Sequence, residues 1–125
     1  MAWGVILLEE VDAWFLDLTK EDPRSAELIA SAIDMLAERG PALGRPLVDR
    51  VTASRYHHMK ELRPGSAHSS EFRILFAFDP HQQAVLLIAG DKSGNWQGWY
   101  RDNLKIADDR YTEWLAGERD REVRQ

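Results

Sequence analysis

The chain of 125 residues contains no cysteine. That excludes a disulfide scaffold, a cysteine-ligated metal and a thiol nucleophile, and it agrees with a reducing compartment. Also missing is any apolar run near the ~18 residues that cross a bilayer. The start, "MAWGVILLEEVDAW", has neither the basic head nor the long apolar stretch of an export signal. A soluble, cytoplasmic protein without membrane attachment is expected. No HExxH or comparable ligand spacing occurs, and "GPALG" and "SGNWQG" lack the lysine and spacing of a phosphate-binding loop. No metal or other cofactor is therefore expected. Excess positive charge is absent too: the net charge of −5 argues against a protein held to nucleic acid by bulk electrostatics.

What is present is unevenly placed. Residues 1–44 carry three Lys/Arg against nine Asp/Glu, whereas residues 45–101 carry eight against five and hold all four histidines. From 102 onward the balance returns to −2, seven acidic residues against five basic. A local anion site on an acidic protein fits this pattern, and so does ordinary solvation of acidic helices beside a mildly basic sheet. The length suits one domain over 1–125, able to bury roughly 70% of its unfolded surface.

The hydrophobic pattern predicts an α+β order. "WGVILL" (3–8) reads as a first strand. Val11, Trp14, Phe15 and Leu18 then recur at helical spacing over about 9–20. Asp22 followed by Pro23 is a helix start, since the carboxylate accepts free N–H groups and proline at the first position loses none. Ala26, Ile29, Ile33, Leu36 and Ala37 define the inner face of this second helix, and "RGP" (39–41) ends it with a left-handed cap at Gly40. A loop rich in glycine and proline leads to strands over 56–63, 71–78 and 83–90, whose short connections predict an antiparallel meander. Leu104, Ala107, Tyr111, Trp114 and Leu115 mark a C-terminal helix, after which 118–125 should fray.

One arginine interrupts the apolar strand "EFRILFAF" (71–78). Period-two alternation puts Phe72, Ile74, Phe76 and Phe78 on the core face and Arg73 on the other, with Glu71, Leu75 and Ala77. On the preceding strand His57, Met59, Glu61 and Arg63 share one side, and His58, Lys60 and Leu62 share the other. If the Arg63 side meets the Arg73 side, two guanidiniums and a carboxylate gather on one face, as a phosphodiester would require. A cross-strand ion pair of Glu61 with either arginine, contributing about 0.2–1 kcal/mol, explains the same residues. His57 and His58 are adjacent, face opposite ways, and make a shared metal ion improbable on geometry.

Element order together with "KELR", "FRILFAF" and "VLLIAGDKSGNW" resembles the HigB branch of the RelE/ParE toxin superfamily. The resemblance runs over nearly the whole chain, as a single toxin domain with the β-α-α-β-β-β-α order. It rests on Glu61, Leu62, Arg63, the Arg73-centred strand and Lys92 in the following turn. It implies the toxin of a toxin–antitoxin pair that cleaves mRNA on the ribosome without a metal, held in a hetero-oligomer by a helix-turn-helix antitoxin of the HigA kind. Cleavage would proceed by attack of a ribose 2′-OH on the adjacent phosphate, which needs a proton acceptor, a proton donor and fixed cations. By that likeness Arg73 stabilises the phosphate first and Arg63 second, with Lys92 the basic turn residue. Lys60, His57 or His58, and Tyr100 are acid–base candidates. Trp96 or Trp99 would stack on a base or else pack the last helix. The other reading of the same fold is a non-enzymatic toxin that binds a protein such as DNA gyrase, or only its antitoxin.

Overall fold

The computed structural model describes residues 2–117, 119, 123 and 124. Strand β1 (Gly4–Leu7) leads into helices α1 (Glu9–Glu21) and α2 (Pro23–Arg39), and a short 3-10 turn (Gly40–Ala42) follows. Then come β2 (Val48–Arg50), β3 (Lys60–Leu62), β4 (Phe72–Phe78), β5 (Gln83–Asp91), α3 (Trp96–Leu115) and β6 (Val123–Arg124). The strands form one mixed sheet in the order β2-β3-β4-β5-β1-β6. The expected α+β fold, with its helical hairpin, β3–β4–β5 meander and C-terminal helix, is what the chain adopts.

Three features go beyond the pattern. β1 lies parallel to β5, so the N-terminal strand is internal to the sheet. β2 arises from the loop expected over 41–55, because Val48, Asp49 and Arg50 pair with Leu62, Glu61 and Lys60. The strand expected over 56–63 shrinks to three residues. Tyr56 closes a turn by accepting from Met59 N at 3.0 Å, and its ring packs edge-on to Tyr111 at 4.8 Å. Of the tail expected to fray, 118, 120–122 and 125 lie outside the described residues. Arg119 bonds Glu10 at 2.7 Å, and Val123–Arg124 pair with β1.

Both faces of the sheet are covered. Phe72, Ile74 and Phe76 pack with Val5, Leu7 and the inner faces of α1 and α2. On the other side Leu75, Ala77, Val85 and Leu87 pack with Trp99, Leu104, Ala107 and Tyr111 of α3. Two-sided burial is why "QAVLLIAG" is apolar at consecutive positions instead of alternating. The second core rests on the strap over 51–56, which α3 holds down: Asp108, 5% exposed, accepts from Ser54 Oγ and from Arg55 N at 3.0 Å.

The start of α2 follows the expectation, with Asp22 Oδ1 accepting from Ser25 N at 3.2 Å. Its end does so with a difference. Gly40 has φ +56° but ψ −138°, outside the left-handed helical well and in a region nearly reserved for glycine. The space above it is filled by the indole of Trp3, and an added Cβ would lie 2.3 Å from Nε1. Gly40→Ala is therefore expected to lower unfolding free energy by about 2–4 kcal/mol through strain and overpacking, as read by urea denaturation. A loss below ~0.5 kcal/mol would show that this contact is not made.

Candidate active site

The site is built where β3, β4, the turn after β5 and the first turns of α3 meet. Glu61 stands opposite Leu75 in the β3–β4 register and so projects to the α3 side, where it is only 4% exposed. A carboxylate so buried needs partners. Tyr100 Oη donates to its Oε1 at 2.5 Å, Arg63 Nη2 donates to its Oε2 at 3.2 Å, and Arg73 Nε lies 3.5 Å from Oε1. Arg63 Nη2 is also 3.3 Å from Asp49 Oδ2, because Asp49 and Glu61 are register neighbours on β2 and β3. Arg73 Nη1 is tied to the Phe72 carbonyl at 2.7 Å.

The guanidiniums are not saturated by these contacts. Nε of Arg63 and of Arg73 are both buried without a hydrogen bond, the 3.5 Å approach of Arg73 to Glu61 being ionic but misaligned. Lys92 is more unusual still. It is 4% exposed, yet among the described residues no carboxylate lies within ion-pair reach of its ammonium. The charge sits 4.4 Å above the ring of Trp96 and 5.7 Å from that of Tyr100. Such faces stabilise a cation but do not neutralise it. Burial, and then the charge of Arg73, push the Lys92 ammonium below its ordinary pKa, with Glu71 and Glu61 opposing.

An irregularity in β5 places this lysine. Leu75 pairs with Ile88 but Phe76 pairs with Leu86, so Leu87 is an extra, unpaired residue. The bulge reverses the alternation beyond it. As a result Gly90, the register partner of Arg73, and then Lys92 turn to the α3 side. Gly90 is needed there, since a Cβ would come within 2.6 Å of Trp99 Nε1.

Tyr100 is held as a neutral phenol. Burial first, then its bond to Glu61 and the carboxylate charge, raise its pKa to about 12. Tyr111 is likewise raised to about 12 by burial and Asp79. The protonated phenols are favoured in the folded state, so stability is expected to fall as pH rises from about 10 through about 12. Urea melts at pH 9 and pH 11 should show a smaller fall for Tyr100→Phe than for wild type. An equal fall would remove the Glu61–Tyr100 bond from the structure.

Of the residues expected from sequence, Arg63, Arg73, Lys92, Tyr100 and Trp96 are brought together. Trp96 is 56% exposed on the first turn of α3, one face against Lys92. Lys60 is not with them: it pairs with Phe76, points to the other side of the sheet and lies 5.5 Å from the Phe78 ring. His57 is exposed in the turn before β3, beside His58, whose Nε2 is 3.3 Å from Tyr111 Oη at the far end of β4. Trp99 packs in the core. The sequence pattern puts Glu61 on one face with Arg63 and Arg73, either as part of an anion site or as their ion-pair partner, and gives it no role of its own in the chemistry; the structure makes it the hub of the cluster.

A cleft of about 240 Å³ opens from Glu61, Arg63 and Tyr100 between the 50–53 segment and α3. The cluster thus sets two guanidiniums, a neutral phenol and a lysine with a lowered pKa around one buried carboxylate, groups whose chemistry suits binding an anion and exchanging protons beside it.

Residues 14–112 match the family described as phage derived protein Gp49-like. The chain belongs to the Gp49-like family. It is 52% identical over 115 residues to a protein of Mycobacterium tuberculosis named as toxin HigB3, covering 92% of this chain and 96% of that one. To a second protein of that organism, named as toxin HigB2, it is 52% identical over 109 residues. That match covers 87% of this chain but only 53% of HigB2, so the Gp49-like chain spans about half the length of that relative. All the clustered site residues lie within the matched family segment.

Proposed function

We propose that this Gp49-like protein is the toxin of a toxin–antitoxin pair and an mRNA endonuclease working on the ribosome, in the cytoplasm. The observation that carries the reading is Lys92: a lysine only 4% exposed with no carboxylate in ion-pair reach among the described residues, next to two guanidiniums each with a buried, unsatisfied Nε–H. An empty cation set of this kind is costly in the free protein and is repaid when an anion enters. The likeness to two proteins named as HigB toxins supports the toxin reading, and the choice of RNA over other phosphates comes from the resemblance of the motifs to the RelE/ParE superfamily.

The chemistry follows from the positions. A scissile phosphate entering the cluster takes hydrogen bonds from the forks of Arg73 and Arg63. Their charge is then drawn from Glu61 onto the phosphate, and Glu61 becomes more basic when substrate is bound. The ribose 2′-oxygen attacks phosphorus while its proton passes to Tyr100 Oη, which hands its own proton to Glu61. The bond from phosphorus to the 5′-oxygen breaks, and Lys92, an easier acid for its lowered pKa, protonates that leaving oxygen. A 2′,3′-cyclic phosphate and a 5′-hydroxyl result. The charge on phosphorus is met by cations already in place, which is where most of the acceleration arises. Trp96 offers its open face to a neighbouring base. A small helix-turn-helix antitoxin would neutralise the toxin in a hetero-oligomer.

The test is induced expression in a bacterial host, with growth and mRNA 5′ ends followed together. New breaks inside translated frames, coincident with arrest and suppressed by co-expressed antitoxin, are expected. Arrest without breaks would overturn the nuclease reading in favour of a toxin that binds a protein target.

A further inference from the structure

The cleft at Glu61 does not end at the reacting cluster. It runs into a second hollow of about 360 Å³ between the 53–55 segment and α3, and the two share Ala53, Tyr100 and Leu104 as a common floor. Arg101, Lys105 and Asp108 continue the lining along α3 at helical spacing, and Arg50 and Arg55 stand across from them. Asp108 is 5% exposed, and each of its oxygens already accepts a hydrogen bond, one from Ser54 Oγ and one from the Arg55 amide. Arg55 is engaged by Asp109 at 2.8 Å, and among the described residues the one carboxylate paired with the Arg101 guanidinium is that of the exposed Asp102, at 3.4 Å. Neither the Arg50 guanidinium nor the Lys105 ammonium has a carboxylate partner among the described residues. The groove therefore has an apolar floor and cations on both rims.

We infer that this groove receives the nucleotides flanking the scissile phosphate, as a single RNA strand with bases on the Ala53–Leu104–Tyr100 floor and phosphates on Arg50, Arg101 and Lys105. The inference rests on the nuclease reading and deepens it by assigning an extended, sequence-tolerant substrate site. Apolar and aromatic floors bind bases of any kind, while rim cations follow the backbone. From Tyr100 to Asp108 the helix rises about 12 Å, room for roughly two nucleotides of an extended strand. An acidic peptide has the charge for the rims but no planar groups for the floor, so it is the weaker occupant.

The experiment uses 2′-O-methyl RNA, which lacks the attacking hydroxyl, as an octamer and as a dinucleotide. Binding to wild type, to Arg101→Gln/Lys105→Gln and to Arg73→Ala is measured by fluorescence at several salt concentrations. Both groove positions are exposed, so the double variant should fold. It is expected to lose about tenfold in octamer affinity at ~0.1 M salt, with a shallower salt dependence, and to keep its dinucleotide affinity. Arg73→Ala should weaken both ligands. An octamer bound equally by wild type and the double variant, with Arg73→Ala weakened, overturns the groove while the nuclease reading stands. The expected tenfold loss together with no mRNA breaks in cells keeps the groove and removes the nuclease. Polyglutamate bound through Arg101 and Lys105 in place of the octamer overturns the inference and gives the groove to a protein segment.

Discussion

Arg73→Ala is expected to abolish growth arrest and to lower RNA cleavage by about 10³-fold, the scale seen when a fixed donor to a developing oxyanion is removed. The protein should remain folded. Glu61 keeps its bonds from Arg63 and Tyr100, so no charge is left buried alone. What is lost is the ionic contact with Glu61, one bond to the Phe72 carbonyl and the packing of a side chain that is 14% exposed. That cost is about 1–2 kcal/mol, to be checked by circular dichroism and a urea melt. Arg73→Lys separates charge from shape. It restores a cation without the planar fork, and recovery of only a small part of the rate is expected. Full activity in Arg73→Ala, with folding intact, would remove this residue from the chemistry and leave a toxin acting through its surface.

Lys92→Met should separate stability from function. In the free protein Lys92 is largely buried over the rings of Trp96 and Tyr100, and burial, then the charge of Arg73, hold its folded pKa below the ordinary 10.5. The unfolded chain then binds more protons than the folded one between the lowered value and 10.5. Wild-type stability accordingly rises with pH across that window, and the penalty is fully present at pH 7. An apolar chain of similar length removes the penalty and keeps the packing against Trp96. Stability at pH 7 is expected to increase by about 1 kcal/mol, with the excess over wild type shrinking towards pH 10. Cleavage should fall by about 10²-fold or more, for want of both the proton donor and a cation. A variant that is less stable and still active would mean that Lys92 is structural. This is the trade expected where a site is held ready for an anion that the protein itself does not supply.

These two residues were not equally legible. Arg73 could be singled out from alternation alone, since any in-register strand over 71–78 puts it opposite the phenylalanines, and the core indeed takes Phe72, Ile74 and Phe76. The helices were legible for the same reason: their apolar stripes repeat at 3.6 residues and their ends carry Asp22 and Gly40. The family could be approached from the order of short motifs, and the match over 14–112 is consistent with that order. Lys60 and His57 show the limit. One faces the opposite side of the sheet, and the other sits in a turn, because β3 begins only after Tyr56 has been drawn to Tyr111 on α3.

By itself the amino-acid sequence determined what depends on neighbours along the chain: where the three helices and the strands β1, β4 and β5 lie, which face of β4 is apolar, and where α2 starts and stops. Tertiary structure decided what depends on residues far apart. β1 had to find β5, and 48–50 had to find β3. α3 had to cover the second face before Glu61 could be buried against Tyr100. The bulge at Leu87 is the clearest case. Plain alternation from Leu87 would send Lys92 to the α1–α2 side; one extra residue, accommodated by pairing with β4, turns it to the side of Arg73. No local preference encodes that shift, because its free energy lies in the contacts that the two strands and α3 make only once they are together.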